Sequence, residues 1–189
     1  MVYCAIFGVI MTCIYWVLVA SMRYYNIANY SVDLQQNGLS AMTALSHDLS
    51  ESKSNTFTNF TASTPKGVIF ASPRQLNGSY SYHPDTRLLM WTKWICYYID
   101  TTDGVSCLYR KEYYKQTSEA VPVIPDTHST IEQFKSDSSL PRKTMAKYID
   151  TINASLSGNV VELTLTFNNS PSTDKGNSLS ISTKVKMTN

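Results

Sequence analysis

Four cysteines and three histidines are the residues of this 189-residue chain with the widest chemical repertoire, and their spacing limits what they can do. Cys96 and Cys107 flank a turn centred near Thr101 and Thr102. Equal spacing from that centre sets them opposite each other on paired strands, which predicts a disulfide if the domain is exported. The alternative is two buried thiols in a register shifted by one residue. Their spacing is not that of a zinc site, and no histidine lies nearby in sequence to complete one. Cys4 and Cys13 are nine apart in an apolar run, face different ways on a helix, and read as small hydrophobes. His47 stands beside Asp48, His83 precedes Pro84, and His128 lies near Asp126 and Ser129 in an irregular stretch. No GxSxG elbow and no HExxH helix accompanies them. The Asp100, Asp103, Gly104 set lacks the spacing of a calcium loop and reads as turn chemistry. No catalytic residue, cofactor or metal is therefore expected.

The elements that would carry these residues begin with a run of unusual composition. The first 22 residues, opening MVYCAIFGVIMTCIYWVLVASM, contain no Asp, Glu, Lys or Arg, and as a helix they cover ~33 Å, about the hydrocarbon thickness of a bilayer. A secretory signal would carry a basic leader and a shorter apolar stretch, so an uncleaved membrane anchor is the better reading. Arg23, on the far side, is the only basic residue near either end, and taken alone it points the wrong way for an exported domain. From Arg23 to Ser52 there is no proline, and Leu34, Gly38, Ala41, Leu45 and Leu49 recur at helical spacing on one face. One rod over 1–52 would be ~78 Å long; a break near Asn26 to Asn29 is the alternative. The stripe needs a cover, so Leu34, Ala41, Leu45 and Leu49 are expected to pack helix against sheet.

Beyond Lys53 the periodicity changes from helical to alternating. VIFAS (68–72) is a short strand, NGSY from Asn77 a turn, and RLLMWTKWICYYID (87–100) a strand apolar on both faces and hence central. TTDG (101–104) turns the chain into VSCLYRKEYY. Residues 115–141 form the least regular region, where Ser129 and Glu132 could frame a capping box. VVELTLTF and LSISTKVKM place Val161, Leu163, Leu165, Phe167 and Leu179, Ile181, Val185, Met187 on single faces, the pattern of half-buried antiparallel strands joined by a polar loop. Tyr97 and Tyr98 must point to opposite faces. Most of the tyrosines, with Trp91 and Trp94, are expected in the core and a minority at a subunit interface.

These elements define an α+β chain: 1–22 as the membrane-spanning half of a helix, 23–53 as its amphipathic half, and 54–189 as an antiparallel β-rich domain. Only 16% of residues are charged while Ser and Thr number 44, a surface that suits an extracytoplasmic domain. The net charge of +2 is too small and scattered to argue for nucleic acid.

The segment AIFGVIMTCIYWVLVASMRYY followed by LQQNGLSAMTALSHDLSES resembles the N-terminal helix of type IV pilin-like proteins, in particular minor pilins and the J-type minor pseudopilins of type II secretion. There the helix commonly reads LQQ, then small residues, then a DLRE-like ending; here the ending is Asp48 to Ser52. CYYID, a turn and CLYRKEY are similar to that group's paired strands, where a YxxD-like strand is answered by LYR, and STKVKMTN is similar to its closing strand. The resemblance implies a non-enzymatic subunit held in the inner membrane with its head outside the cytoplasm. It would assemble with other pilin or pseudopilin subunits, served by an inner-membrane assembly platform. It also implies a basic leader, a Gly-Phe-Thr-Leu-Ile-Glu-like processing sequence and a glutamate upstream of the present Met1, and so a start assigned at an internal methionine, ahead of truncation or loss of the site. From a different class, a single-pass receptor or ligand-binding module predicts a concave pocket and an interruption between anchor and domain.

Overall fold

The computed structural model describes residues 2–60, 65–75, 77–168 and 178–188, apart from the side chains of 4, 5 and 116–119. The side chains of Cys4 and Ala5, and most of the polar loop expected after Phe167, thus lie outside the described residues. The chain divides into two compact units, Met1–Gln36 and Asn37–Asn189. One helix, α1 (Val2–Ser50), contributes to both. No break interrupts it near Asn26, since nothing from 2 to 50 is proline and the only glycines are Gly8 and Gly38.

The first unit is helical throughout its described residues, and its apolar side chains from Val2 to Ile27 are largely exposed. It is long and apolar enough to cross a membrane. Leu34, near its end, is buried.

In the second unit the last turns of α1 precede nine strands among the described residues, in two antiparallel sheets. The larger is ordered β1 (Thr58–Asn59), β2 (Gly67–Ser72), β4 (Leu89–Thr102), β5 (Val105–Glu119), β6 (Lys143–Lys147), with β3 (Ser81–Tyr82) also pairing β4. The smaller is β7 (Ile149–Ser157), β8 (Val160–Asn168), β9 (Ser178–Lys186). As its two-sided apolarity requires, β4 is central and buried on both faces from Lys93 to Tyr98. One face carries Ile69, Trp94, Cys96, Tyr98 and Tyr109 and is covered by the short helix α2 (Ile131–Ser136) through Ile131 and Phe134. The other carries Val68, Phe70, Ile95, Tyr97 and Leu108, all fully buried, with Phe70 and Tyr97 stacked at 6.1 Å.

Between β4 and β5 the turn is Asp103–Gly104, both left-handed at φ 53° and 76°, the two-residue geometry that matches strand twist. It sits two residues beyond the centre assumed from the sequence. At β6 the chain changes sheet within a single residue: Tyr148 has φ 61°, and its carbonyl accepts from Asn168 N–H at 3.0 Å. In the smaller sheet Val161, Leu163, Leu165 and Phe167 are fully buried as their alternation predicts, while the opposite face is a polar ladder, Thr164 with Ser182 and Thr166 with Ser180. β6 and β7 have no counterpart in the sequence reading; the β7 ladder shifts register between Ile149 and Thr151, which breaks the alternation that would have marked it.

Candidate functional site: a clasp between helix and sheet

The segment of α1 inside the second unit buries Ala41, Met42, Leu45 and Leu49, three of them the residues expected there. Each fully buried leucine of this kind stabilises the packing by about 1.5–3 kcal/mol. Gly38 marks a close approach: a Cβ there would meet Ile181 Cδ1 at 2.7 Å and the Phe167 ring at 3.0 Å. Glycine is therefore what lets this turn of helix press onto β8 and β9.

One helical turn past Leu45, Asp48 carries a carboxylate into this contact. Its Oδ2 accepts from the Tyr97 hydroxyl at 2.7 Å and from Arg110 Nε at 2.8 Å. Tyr97 and Arg110 are directly paired across β4 and β5, so strand register places both donors under one acceptor. The charges continue along β5: Arg110 Nη1 reaches Glu112 Oε1 at 2.5 Å, Glu112 also accepts from Lys93 Nζ at 3.0 Å, and the Tyr114 hydroxyl donates to Glu112 Oε2 at 2.5 Å. Burial pushes the Glu112 carboxyl up, but the bonds from Tyr114, Arg110 and Lys93 outweigh it and hold the group below its ordinary value. Burial, with the Asp48 charge beside it, raises the Tyr97 hydroxyl far above its usual range, so it stays a donor.

A second pairing secures the helix end. Glu51 is gripped by Arg74 through Nε at 2.5 Å and through Nη2, accepts from the Tyr80 hydroxyl at 3.0 Å, and lies 3.5 Å from His47. Ser52 O then accepts from Thr188 N–H at 2.9 Å, so the end of α1 and the chain's last residues are joined by backbone.

The expected disulfide is not there. Cys96 pairs with Lys111 and Cys107 with Asp100, four positions apart in the ladder, and both thiols are free and buried in the α2-side core. The physical reason is the turn: centring it on Asp103–Gly104 slides the return strand past the register that would oppose the sulfurs. Burial raises the Cys96 thiol well above its ordinary value, which leaves it inert.

The histidines occupy three separate settings. His47 is exposed on α1, and His83 Nδ1 accepts from the backbone of Asp85 and Thr86. His128 is buried, stacked on Tyr113 at 4.0 Å and edge-on to Phe134 at 5.0 Å, with Nε2 on Asp137 Oδ2 at 3.1 Å. Ser139 donates to the other Asp137 oxygen, and the Thr127 hydroxyl lies 3.1 Å from His128 Nδ1. Hydrogen bonds from Ser139 and His128 hold Asp137 down to about 2. Beside them Lys111, nearly fully buried, donates to the carbonyls of Phe134, Lys135 and Asp137 and closes the C-terminus of α2. The capping box at the other end is formed by Thr130 and Gln133, one residue later than the Ser129 and Glu132 frame expected from the sequence. No cluster of metal-binding side chains is found among the described residues.

Sequence patterning identified the apolar half of the clasp and missed its polar half. Asp48, Tyr97 and Arg110 are 49 and 13 residues apart, and only the β4–β5 register, set by the turn, brings them together. No protein-family model matches this chain, and no characterised protein or solved structure matches it significantly.

Proposed function

We propose that this chain is a minor pilin or minor pseudopilin, a non-enzymatic subunit that assembles through its N-terminal helix into a type IV pilus or a type II secretion pseudopilus, at or near the tip. The observation that carries the reading is the division of labour along α1: a charge-free apolar stretch over 2–22, then a segment whose Leu45 and Leu49 are fully buried and whose Asp48 is held by Tyr97 and Arg110. The helix ending, the YxxD-like strand and the LYR strand that suggested the family each contribute one residue to that single contact, which supports treating them as one motif.

The mechanism is mechanical. An apolar helix suits both lipid and the packed core of a helical filament, where small residues such as Gly8 and Ala20 permit close approach. The clasp transmits the position of that helix to the β-rich head. The subunit resides in the inner membrane with its head outside the cytoplasm, and its partners are other pilin or pseudopilin subunits and the membrane platform that extracts them.

The test is photocrosslinking from the helix. With a benzophenone side chain at Val9 or Val17 in the full-length protein, expressed in its own cell, the expected adducts are proteins with a similar N-terminal helix. Adducts to lipid alone, with the protein remaining a monomer, would overturn the assembly role and favour a single-pass binding module.

A further inference from the structure

The smaller sheet ends at β9, whose outer edge pairs with no described strand. A free edge offers a row of backbone donors and acceptors, and such edges are normally shortened, bulged, covered or guarded by charges, lysine above all, as Lys184 and Lys186 guard this one against an uncharged or basic strand. This one runs nine residues, from Ser178 to Lys186, without a shift in its pairing to β8.

Alongside that edge lies an open trough of about 650 Å³. Its one wall is residues 181–186 of β9; its other wall is the α1 stripe from Leu39 to Ser50, at helical spacing. Six strand residues extend ~20 Å and eleven helix steps ~17 Å, so the trough has the length of a strand and not the shape of a small-molecule cleft. Its floor is apolar, with Met42 and Val185 buried and Leu39 still 57% exposed. Among its lining residues the charged or ionisable ones are His47, Lys184 and Lys186, with no carboxylate. Lys184 faces Glu162 at 3.6 Å, but both are well exposed, and a surface pair of that kind is readily exchanged.

We infer that the β9 edge and the trough beside it form a docking site for an extended acidic segment of a partner protein, which adds to the smaller sheet as a fourth strand. The backbone supplies the pairing, alternate apolar side chains of the guest fill the trough over Leu39 and Met42, and guest carboxylates meet Lys184 and Lys186. This site is independent of how α1 assembles, so either reading can fail without the other.

The experiment uses the isotope-labelled full chain in zwitterionic nanodiscs and three synthetic nonapeptides of alternating Val and Thr: one ending in three glutamates, one ending in three lysines, and a glutamate peptide with N-methylated backbone amides. The glutamate peptide is expected to shift and protect the amides of 181–186 and to bind about tenfold tighter than the lysine peptide. N-methylation abolishes binding, because the methylated backbone cannot pair with the edge. Lys184→Glu with Lys186→Glu, both exposed and so compatible with folding, reverses the preference between the two charged peptides. The inference is overturned if those amides stay unperturbed at millimolar peptide, if the N-methylated peptide binds equally well, or if charge reversal leaves the preference unchanged. It is also overturned if the same amides become protected without peptide, on raising protein concentration or adding anionic lipid, since the occupant is then a second copy or a membrane.

Discussion

The Tyr97 hydroxyl donates to Asp48 at 2.7 Å, joining the central strand of the larger sheet to the last turn of α1 across 49 residues of sequence. Arg110 shares the same oxygen, so the two donors are not equivalent: one is neutral and one is a charge that needs its partner. Removing the tyrosine hydroxyl in Tyr97→Phe costs one hydrogen bond to a partly solvated carboxylate, about 1.5 kcal/mol. Asp48→Ala leaves the Arg110 guanidinium short of a partner in a mostly buried site; since some solvent reaches both groups, about 2–3 kcal/mol is expected rather than the larger loss of a fully buried pair. Urea unfolding of both variants checks the order, and equal losses would contradict it.

Gly38 sets the spacing between α1 and the smaller sheet. Gly38→Ala gains about 1 kcal/mol of helix propensity and loses a comparable amount to the Ile181 and Phe167 contacts, so its Tm should move little. Gly38→Leu has no room and is expected to destabilise by about 1–3 kcal/mol. A Leu variant as stable as wild type in thermal unfolding would show that the helix can lift off without cost.

Acid should loosen the clasp before it unfolds the core. For Glu51, burial raises the carboxyl but the bonds from Arg74 and Tyr80 more than offset it, and Glu112 is depressed in the same way. A carboxyl depressed in the folded state contributes stability that is full above its ordinary value of 4.5 and is lost as pH falls through the lowered one. Asp137 follows later, between 3.8 and about 2. Amide exchange at the end of α1 is therefore expected to rise below about pH 4.5 ahead of exchange around α2. The reverse order would contradict the assignment.

Cys96 and Cys107 should behave as unreactive thiols. A thiol reagent is expected to leave both unmodified in the native protein and to label both in denaturant, and a reducing agent should leave the Tm unchanged. A drop in Tm on reduction would mean that the native form is cross-linked.

Lys111 closes α2 from inside the sheet. Lys111→Met keeps the stem but frees three carbonyls, with an expected loss of about 1–3 kcal/mol and faster amide exchange confined to Ile131–Ser136 and its flanks. Burial lowers the ammonium's own pKa, so part of the loss is offset by no longer desolvating a charge.

Apolar periodicity made the long helix, the central strand and the faces of β8 and β9 legible, because burial of repeated apolar side chains leaves a regular trace in the sequence. The polar contacts left none. Asp48 beside His47 looks like an ordinary surface pair until strand register places Tyr97 and Arg110 beneath it, and Lys111 looks like a solvated charge until α2 folds over it. The cysteine pairing failed for the same reason. A two-residue displacement of the turn is invisible to composition, yet it moves the sulfurs four rungs out of register. In the loop before α2, Thr130 took the cap that Ser129 could have taken, a choice between neighbouring hydroxyls that only backbone geometry decides.

Tyr148 alone connects β6 to β7, so there is no slack where the chain passes from one sheet to the other. The two layers are geared together like adjacent cogs. Adding or deleting one amino acid at that joint would turn Ile149, Ile152 and Ala154 inside out, and natural variation in length should accumulate anywhere but there.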